Sequence, residues 1–170
     1  MDNTESFLEL NPVGIYVFDT SSFRVIEHYF PGTFPSFWKR FDNEIAQGTI
    51  ISVREVCNEL ERKNPKDHFK TWYKHHQSKF LKPPTREETQ FVKEIFNKEH
   101  FKQLIDQQAM LNGYPVADPW VIAAAKVKGG SVVTEEVYKE NAAKIPNVCR
   151  HFGIPCTNVE GFLAQKGWKF

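Results

Sequence analysis

The chain has 170 residues, of which 41% are hydrophobic and 25% charged, which is enough apolar material for one buried core and short for two domains. Its formal net charge of +1 excludes an overall positive field that would draw the protein onto nucleic acid, so any basic surface must be local. Residues 1–10 carry acids and no long apolar run, and nothing in the chain approaches the roughly 18 apolar residues of a membrane span. We therefore expect a single cytoplasmic domain over residues 1–170, without a membrane segment.

Short apolar runs alternate with helical patterns along the first part of the chain. Residues 14–18 form a β-branched and aromatic run that suits a buried central strand and ends at Asp19. Aromatic residues then recur at helical spacing over residues 34–48, where a glycine stops the pattern. Residues 49–53 predict a second strand, and Ser52 is a candidate cap for the helix that follows it.

The middle and end of the chain continue this alternation around an insert. From about residue 64 to residue 108 the sequence is polar, aromatic and charge-rich, and prolines divide it into a predicted helical insert. After the insert, Asp118 is a candidate cap and Pro119 the first residue of an alanine-rich helix. The remaining predicted elements are a strand at 131–134, a helix at 146–152, a strand at 154–157 and a helix at 159–164. This order predicts an α/β fold, a three-layer α/β/α sandwich around a mostly parallel sheet of about four to five strands.

Four carboxylates fall where a parallel sheet binds its ligands, beyond the carboxyl ends of its strands. Asp19 follows the first predicted strand, and Glu136 follows the third. Asp118 begins the helix that leads into the third strand. Glu59 lies in the second turn of the second predicted helix, on the face that it shares with Glu55. We expect these side chains to converge on one small region.

A cluster of like charges needs a neutralising partner, because each carboxylate raises the pKa of the others. Oxygen ligands alone select Mg²⁺ or Mn²⁺ over zinc. Such an ion lowers the pKa of a bound water and orients a phosphodiester, so the pattern indicates metal-dependent phosphodiester hydrolysis. Taken singly, each acid also has a simpler interpretation as a strand end, a helix cap or a solvated surface charge.

Four motifs in chain order carry a resemblance to a known family. The motifs are Val17-Phe18-Asp19-Thr20-Ser21, Ile51-Ser52 with Glu59-Leu60, Ala117-Asp118 with Ile122-Ala123-Ala125, and Val132-Val133-Thr134-Glu135-Glu136. Their order and spacing resemble those of PIN-domain ribonucleases, either toxin-type (VapC-like) members or a separate bacterial PIN-like branch. The resemblance covers about residues 14–160 and implies a PIN-like domain. It also implies one site for Mg²⁺ or Mn²⁺ lined by Asp19, Glu59, Asp118 and Glu136, with the hydroxyls of Thr20 and Thr134 as supports.

The sequence departs from the family pattern in two places. The last acid is usually Asp in the family and is Glu136 here, and Glu135 beside it competes for the inward position. Glu135 is therefore a further candidate support of the site, and Glu55 is another because it shares a helix face with Glu59. The insert at about residues 64–108 is longer than in compact toxin members.

The resemblance implies an endoribonuclease that acts as the toxin of a toxin–antitoxin pair. Its substrate would be RNA, its partner an antitoxin protein that blocks the site, and its assembly a homodimer, which is common in the family. A DNA-directed nuclease of the same fold is one alternative, since the metal site acts on the phosphodiester. The other alternative is a non-catalytic PIN-like module that binds RNA or a protein, because fold alone does not establish activity.

The insert interleaves basic and aromatic residues. Basic side chains bind phosphate and aromatic rings stack on unpaired bases, so this composition predicts a face that holds RNA. The candidate RNA contacts are Lys70, Trp72, Lys74 and Lys79. The alternative is a solvated amphipathic helix whose aromatic residues pack on the core.

Overall fold

A computed structural model of the protein describes residues 14–104 and 116–170. Its sheet is four-stranded and parallel throughout, with the strand order β2-β1-β3-β4. The strands are β1 (Tyr16–Phe18), β2 (Ile50–Ile51), β3 (Ser131–Val133) and β4 (Cys156–Thr157). Helices flank the sheet, which confirms the predicted α/β sandwich with a parallel central sheet.

The helices follow the strands in alternation, interrupted by the insert. They are α1 (Thr20–Ile26), α2 (Pro35–Gln47), α3 (Arg54–Arg62), α4 (Asp67–Phe80), α5 (Arg86–Phe96), a 3-10 helix (Glu99–Leu104), α6 (Asp118–Lys128), α7 (Ile145–Phe152) and α8 (Val159–Gln165). Within the described residues, none of these helices is both long enough and apolar enough to cross a membrane.

Strand β1 lies at the centre of the sheet because it pairs with β2 on one side and β3 on the other. Its residues Val17 and Phe18 are fully buried, as a continuous apolar strand between two layers of helices requires. Phe18 pairs with Val133 at the ends of the two strands. The chain segments that leave β1 and β3 are therefore neighbours at one edge of the sheet.

Two predicted helix caps are wrong. Ser52 does not cap α3, whose N-cap residue is Val53; its hydroxyl instead donates to the Phe18 carbonyl at 2.7 Å and ties the end of β2 to β1. Asp118 does not cap α6 either, because Ala117 takes the cap position and Asp118 is the first helical residue. In both cases the cap lies one residue away from the polar side chain, which is free to bond elsewhere.

Helix α1 was not predicted from the sequence. It follows β1 directly, with Asp19 as its N-cap, and the Asp19 side chain accepts a hydrogen bond from the Ser22 backbone N–H. A run of Thr and Ser after a strand is typical of a turn, yet it also satisfies the free donors of a first helical turn. Buried Phe23 and Ile26 pack α1 onto the core.

The insert is helical over its described part, and residues 105–108 lie outside the described residues. Phe69, Tyr73 and Phe80 of α4 are buried and belong to the same cluster as the residues of the sheet. Helix α5 is joined to α6 by an ion pair between Glu88 and Lys128, whose oxygen and nitrogen lie 2.6 Å apart. The described part of the insert is thus continuous with the core of the domain.

Gly130 provides a test of how closely β1 and β3 approach. A Cβ atom at this position would lie 2.5 Å from the Ile15 carbonyl oxygen, a backbone atom that bonds the Ser131 N–H. We expect Gly130→Ala to lower the free energy of unfolding by at least about 1 kcal/mol, since overpacking forces the strands apart. Urea unfolding measures the change. Gly32→Ala is the control, because nothing lies within 4 Å of a Cβ there; an equal loss in both variants would contradict the close approach.

Candidate functional site

The strand ends deliver polar residues to one edge of the sheet. Asp19 follows β1 and Thr134 follows β3, and the Asp19 N–H donates to the Val133 carbonyl at 3.1 Å. The Thr134 hydroxyl donates to Asp19 Oδ2 at 2.7 Å. This contact joins the two central strands just beyond their carboxyl ends, where the sequence predicted the site to lie.

The carboxylate of Asp19 accepts hydrogen bonds from three residues. Its carboxylate accepts from the Ser22 N–H at 2.9 Å, from the Ser21 hydroxyl at 2.8 and 3.0 Å, and from Thr134. The residue is only 5% exposed. Burial raises the Asp19 pKa, and these hydrogen bonds oppose the rise because they favour the ionised form. The result is a carboxylate with a fixed position.

Glu59 bridges α3 to the start of two other helices. Its Oε2 accepts from the Thr20 hydroxyl at 2.5 Å, and its Oε1 accepts from the Ala117 N–H at 3.1 Å. Glu55, one turn earlier, lies in a different environment, because its carboxylate pairs with Arg54 at 2.9 Å and lines a cavity between α3 and the insert. The expected support by Glu55 is not seen in these contacts.

The two acids after β3 diverge. Glu136 Oε2 accepts from the Ile145 N–H at the start of α7, at 2.9 Å. Glu135 Oε1 accepts from the Val159 N–H at the start of α8, at 2.8 Å. Of these two acids, Glu136 is the one whose charge is among the causes that raise the pKa of Asp118. Of the two acids that the sequence left open, Glu136 is therefore the one that acts electrostatically on Asp118.

Asp118 receives the combined effect of the other acids. Burial raises its pKa first, and the charges of Glu136, Glu59 and Asp19 add to the rise, which brings the pKa to about 8. The charge of Lys63 opposes this rise. The Asp118 carboxyl accepts no hydrogen bond from the residues that the structure describes, in contrast to the other three acids. The four predicted site residues thus share one electrostatic environment, and Asp118 is its least satisfied member.

The cluster is not a formed metal site. Among residues 14–104 and 116–170, no group of three or more His, Cys, Asp or Glu side chains is arranged so that it could hold a metal ion. The donor set, oxygens from four carboxylates, has the chemistry that Mg²⁺ and Mn²⁺ prefer. Asp19, Glu59, Asp118 and Glu136 are the residues that would hold such an ion, and three of them are bonded to neighbouring hydroxyl or backbone N–H groups.

Two serines of the site were missed by sequence reasoning. Ser21 donates to Asp19 and accepts from the Glu135 N–H at 2.8 Å, so it links the ends of β1 and β3. The Ser22 hydroxyl donates to the Val133 carbonyl at 2.6 Å. Their signal is the position directly after a strand-end Asp, where a first helical turn brings hydroxyls back toward the carboxylate.

The candidate RNA contacts of the insert differ in their surroundings. The Trp72 ring packs among the aromatic rings of the core, and its indole N–H donates to Asp42 Oδ1 at 2.7 Å, which is evidence against the expected role of Trp72 as an RNA contact. Lys74 and Lys79 are exposed, and Lys70 is half-buried. A role of these three lysines in RNA binding stays a prediction.

Comparison with known families matches residues 16–170 to a single family, which is described as "Domain of unknown function (DUF4411)". The chain belongs to this family. Among solved structures, this DUF4411 domain is similar to the crystal structure of PAE2754 from Pyrobaculum aerophilum. The two share 14% sequence identity and a TM-score of 0.47, over 91% of this chain and 96% of that chain. No curated protein matches the chain.

The raised pKa of Asp118 predicts how stability depends on pH. The carboxyl ionises at an ordinary value of 3.8 when unfolded and at about 8 in the folded DUF4411 domain. Between these values the folded state binds the additional proton, so its contribution to stability is full below about pH 4 and is lost as the pH rises through about 8. In metal-free buffer, we expect Asp118→Asn to be more stable than wild type, by a margin that grows from pH 5 to pH 8.

Urea unfolding of both proteins in EDTA at the two pH values measures this margin. The growth should reach at least about 1.4 kcal/mol, the equivalent of one pKa unit. Asp67→Asn is the matched control for the loss of one surface carboxylate, because Asp67 is fully exposed on α4 and is not among the acids that act on Asp118. A margin for Asp118→Asn that is the same at both pH values would contradict the electrostatic cluster.

Proposed function

We propose that this protein is a metal-dependent endoribonuclease that hydrolyses RNA phosphodiester bonds. The observation that carries the proposal is the position of four acids beyond the carboxyl ends of the parallel strands, where Thr134 donates to Asp19 and Thr20 donates to Glu59. Burial and the charges of three neighbouring acids raise the pKa of Asp118 to about 8. Acids that repel one another in this way attract a cation, and a site of oxygens alone suits Mg²⁺ or Mn²⁺.

The residues that would hold the ion are Asp19, Glu59, Asp118 and Glu136. When bound, Mg²⁺ or Mn²⁺ supplies a water of lowered pKa and neutralises charge on the phosphate. The chain itself does the positioning. The hydroxyls of Thr134 and Thr20 orient two of the carboxylates. Lys63, one helical turn beyond Glu59 and exposed, provides positive charge for the phosphate beside the acids.

The cellular role in this proposal is that of a toxin in a toxin–antitoxin pair. It is supported by the resemblance of the ordered motifs to PIN-domain ribonucleases. The antitoxin would be a protein that covers the acidic edge of the sheet and prevents access of RNA. A cytoplasmic location belongs to the same proposal, since the RNA substrate and the antitoxin would both be present there. The homodimer belongs to it as part of the family resemblance.

A second candidate is a non-catalytic module that binds RNA or a protein. The observation that favours it is the hydrogen bonding of the acids to helix starts, at the backbone N–H groups of Ala117, Ile145 and Val159. Such contacts stabilise a helix end without any catalysis. They give no structural purpose to the carboxyl of Asp118, which accepts no hydrogen bond from the residues that the structure describes, and for this reason the nuclease is the first candidate.

The decisive experiment is cleavage of a mixed pool of labelled single-stranded RNA and DNA in Mn²⁺, Mg²⁺ or EDTA. We expect wild type to cut RNA only when the metal is present. Asp19→Asn and Asp118→Asn should lose at least about 100-fold in rate, because each removes a charged oxygen ligand. Circular dichroism should show that both variants remain folded. Cleavage that persists in EDTA, or at wild-type rates in the variants, would refute the metal site. Cleavage of DNA alone would redirect the proposal to a DNA nuclease.

Glu136 and Glu135 form a matched pair for assigning the fourth ligand. Both accept a hydrogen bond from the first residue of a helix, and Gln retains an oxygen that can accept it. We expect Glu136→Gln to lower the cleavage rate at saturating Mn²⁺ by at least about 10-fold, and Glu135→Gln to leave it nearly unchanged. Equal losses in the two variants would mean that the site does not distinguish these acids.

A further inference from the structure

A groove of about 520 Å³ opens directly from the acidic cluster. Its lining includes Thr134 and Glu136 of the candidate site, Arg150 of α7 and Asn158 before α8. The segment between β3 and α7 forms one wall and carries Tyr138. The groove is thus an extension of the candidate site along the β4 side of the sheet.

The wall of the groove exposes apolar groups beside these charges. Val137 is 74% exposed and Tyr138 is 46% exposed. The Arg150 guanidinium lies over the Tyr138 ring, with its carbon 5.0 Å from the ring centroid, a distance at which cation and ring attract each other. Arg150 makes no ion pair with any acid in the described part of the chain. Its positive charge is therefore available to a ligand in the groove.

Asn158 in the lining of the groove offers hydrogen-bond donors. The Asn158 side-chain oxygen accepts from the Gly161 N–H at 2.8 Å, so the side-chain NH₂ group is left for another partner. The groove thus combines a cation, an aromatic ring with exposed surface and amide donors in one channel. Stacking on an aromatic ring together with a cation for the backbone is how proteins hold unpaired nucleotides.

We propose that this groove binds a single-stranded polynucleotide next to the acidic cluster, with a base on Tyr138 and a backbone phosphate on Arg150. The assignment deepens the proposed function, because it places the strand beside the carboxylates, but binding can be measured without cleavage. An acidic peptide would satisfy Arg150 and leave the Tyr138 ring unused. The ring and the cation together favour the polynucleotide.

The test measures binding of a short labelled RNA strand and the DNA strand of the same sequence by fluorescence anisotropy. The full chain carries Asp118→Asn and is kept in EDTA, so that nothing is cut. Tyr138→Ala should weaken Kd for the single strand by about 10-fold through loss of stacking. Tyr138→Phe should stay within about 2-fold, because the ring is retained. Arg150→Gln should weaken binding and lower the slope of log Kd against log salt by about one.

The matched control is a second cation and ring pair outside the groove. Arg40 lies 5.5 Å from the ring centroid of Phe170, which is 54% exposed. Arg40→Gln and Phe170→Ala should leave the Kd unchanged. Binding that is insensitive to Tyr138→Ala, tighter to duplex than to single strand, or displaced equally well by polyglutamate would overturn the assignment. Sensitive binding together with an inactive wild type would retain the groove and reject the nuclease, so the two failures are distinguishable.

Discussion

The structure depends on one constraint of a parallel sheet. The helices that connect its strands begin at the same edge, the one formed by the carboxyl ends of the strands. Each helix start has backbone N–H groups without a partner in its own helix, and it carries partial positive charge. At this edge the groups are satisfied by acids. Asp19 accepts at the start of α1, Glu59 at the start of α6, Glu136 at the start of α7 and Glu135 at the start of α8. The fold therefore gathers carboxylates here for reasons of its own, before any chemistry is considered.

This constraint explains why Asp118 is the informative residue of the site. A carboxylate bound to a helix start is stabilised in its charged form, so its presence is compatible with a purely structural role. Asp118 lies at the first position of α6, but the N–H of Ala117 at that helix start donates to Glu59. It is left among three acids and carries a pKa of about 8. A domain that needed only helix caps would gain stability by losing this charge, and its presence therefore favours a cation-binding function.

The sequence was sufficient to predict most of the architecture and the edge of the sheet at which the four acids lie, whereas their role as a metal site stays a prediction. Continuous apolar runs identified β1 and β3, and the acids that follow them fell at the expected edge because parallel strands share a direction. Contacts that depend on side-chain geometry were not predictable in the same way. The positions of Glu55 and Glu59 on one helix face did not reveal that Glu55 forms an ion pair with the neighbouring Arg54. Likewise, the helical spacing of the insert's aromatic residues fitted both an RNA-binding face and a core, and it did not reveal that the Trp72 ring packs against Trp38 and Phe41.

The proposed function requires that positively charged groups near the four acids attract RNA. With a formal charge of +1 and four acids at the candidate site, the protein has no long-range field that would attract RNA. Attraction must come from local cations, and two of them flank the acids. Lys63 ends α3, which follows the edge strand β2, and Arg150 lies on α7, which precedes the opposite edge strand β4. In the proposed function, a divalent cation held by these acids would cancel part of their negative charge and so reduce the repulsion of a phosphate. If the proposal holds, RNA binding beside the acids should therefore be stronger with the metal than without it.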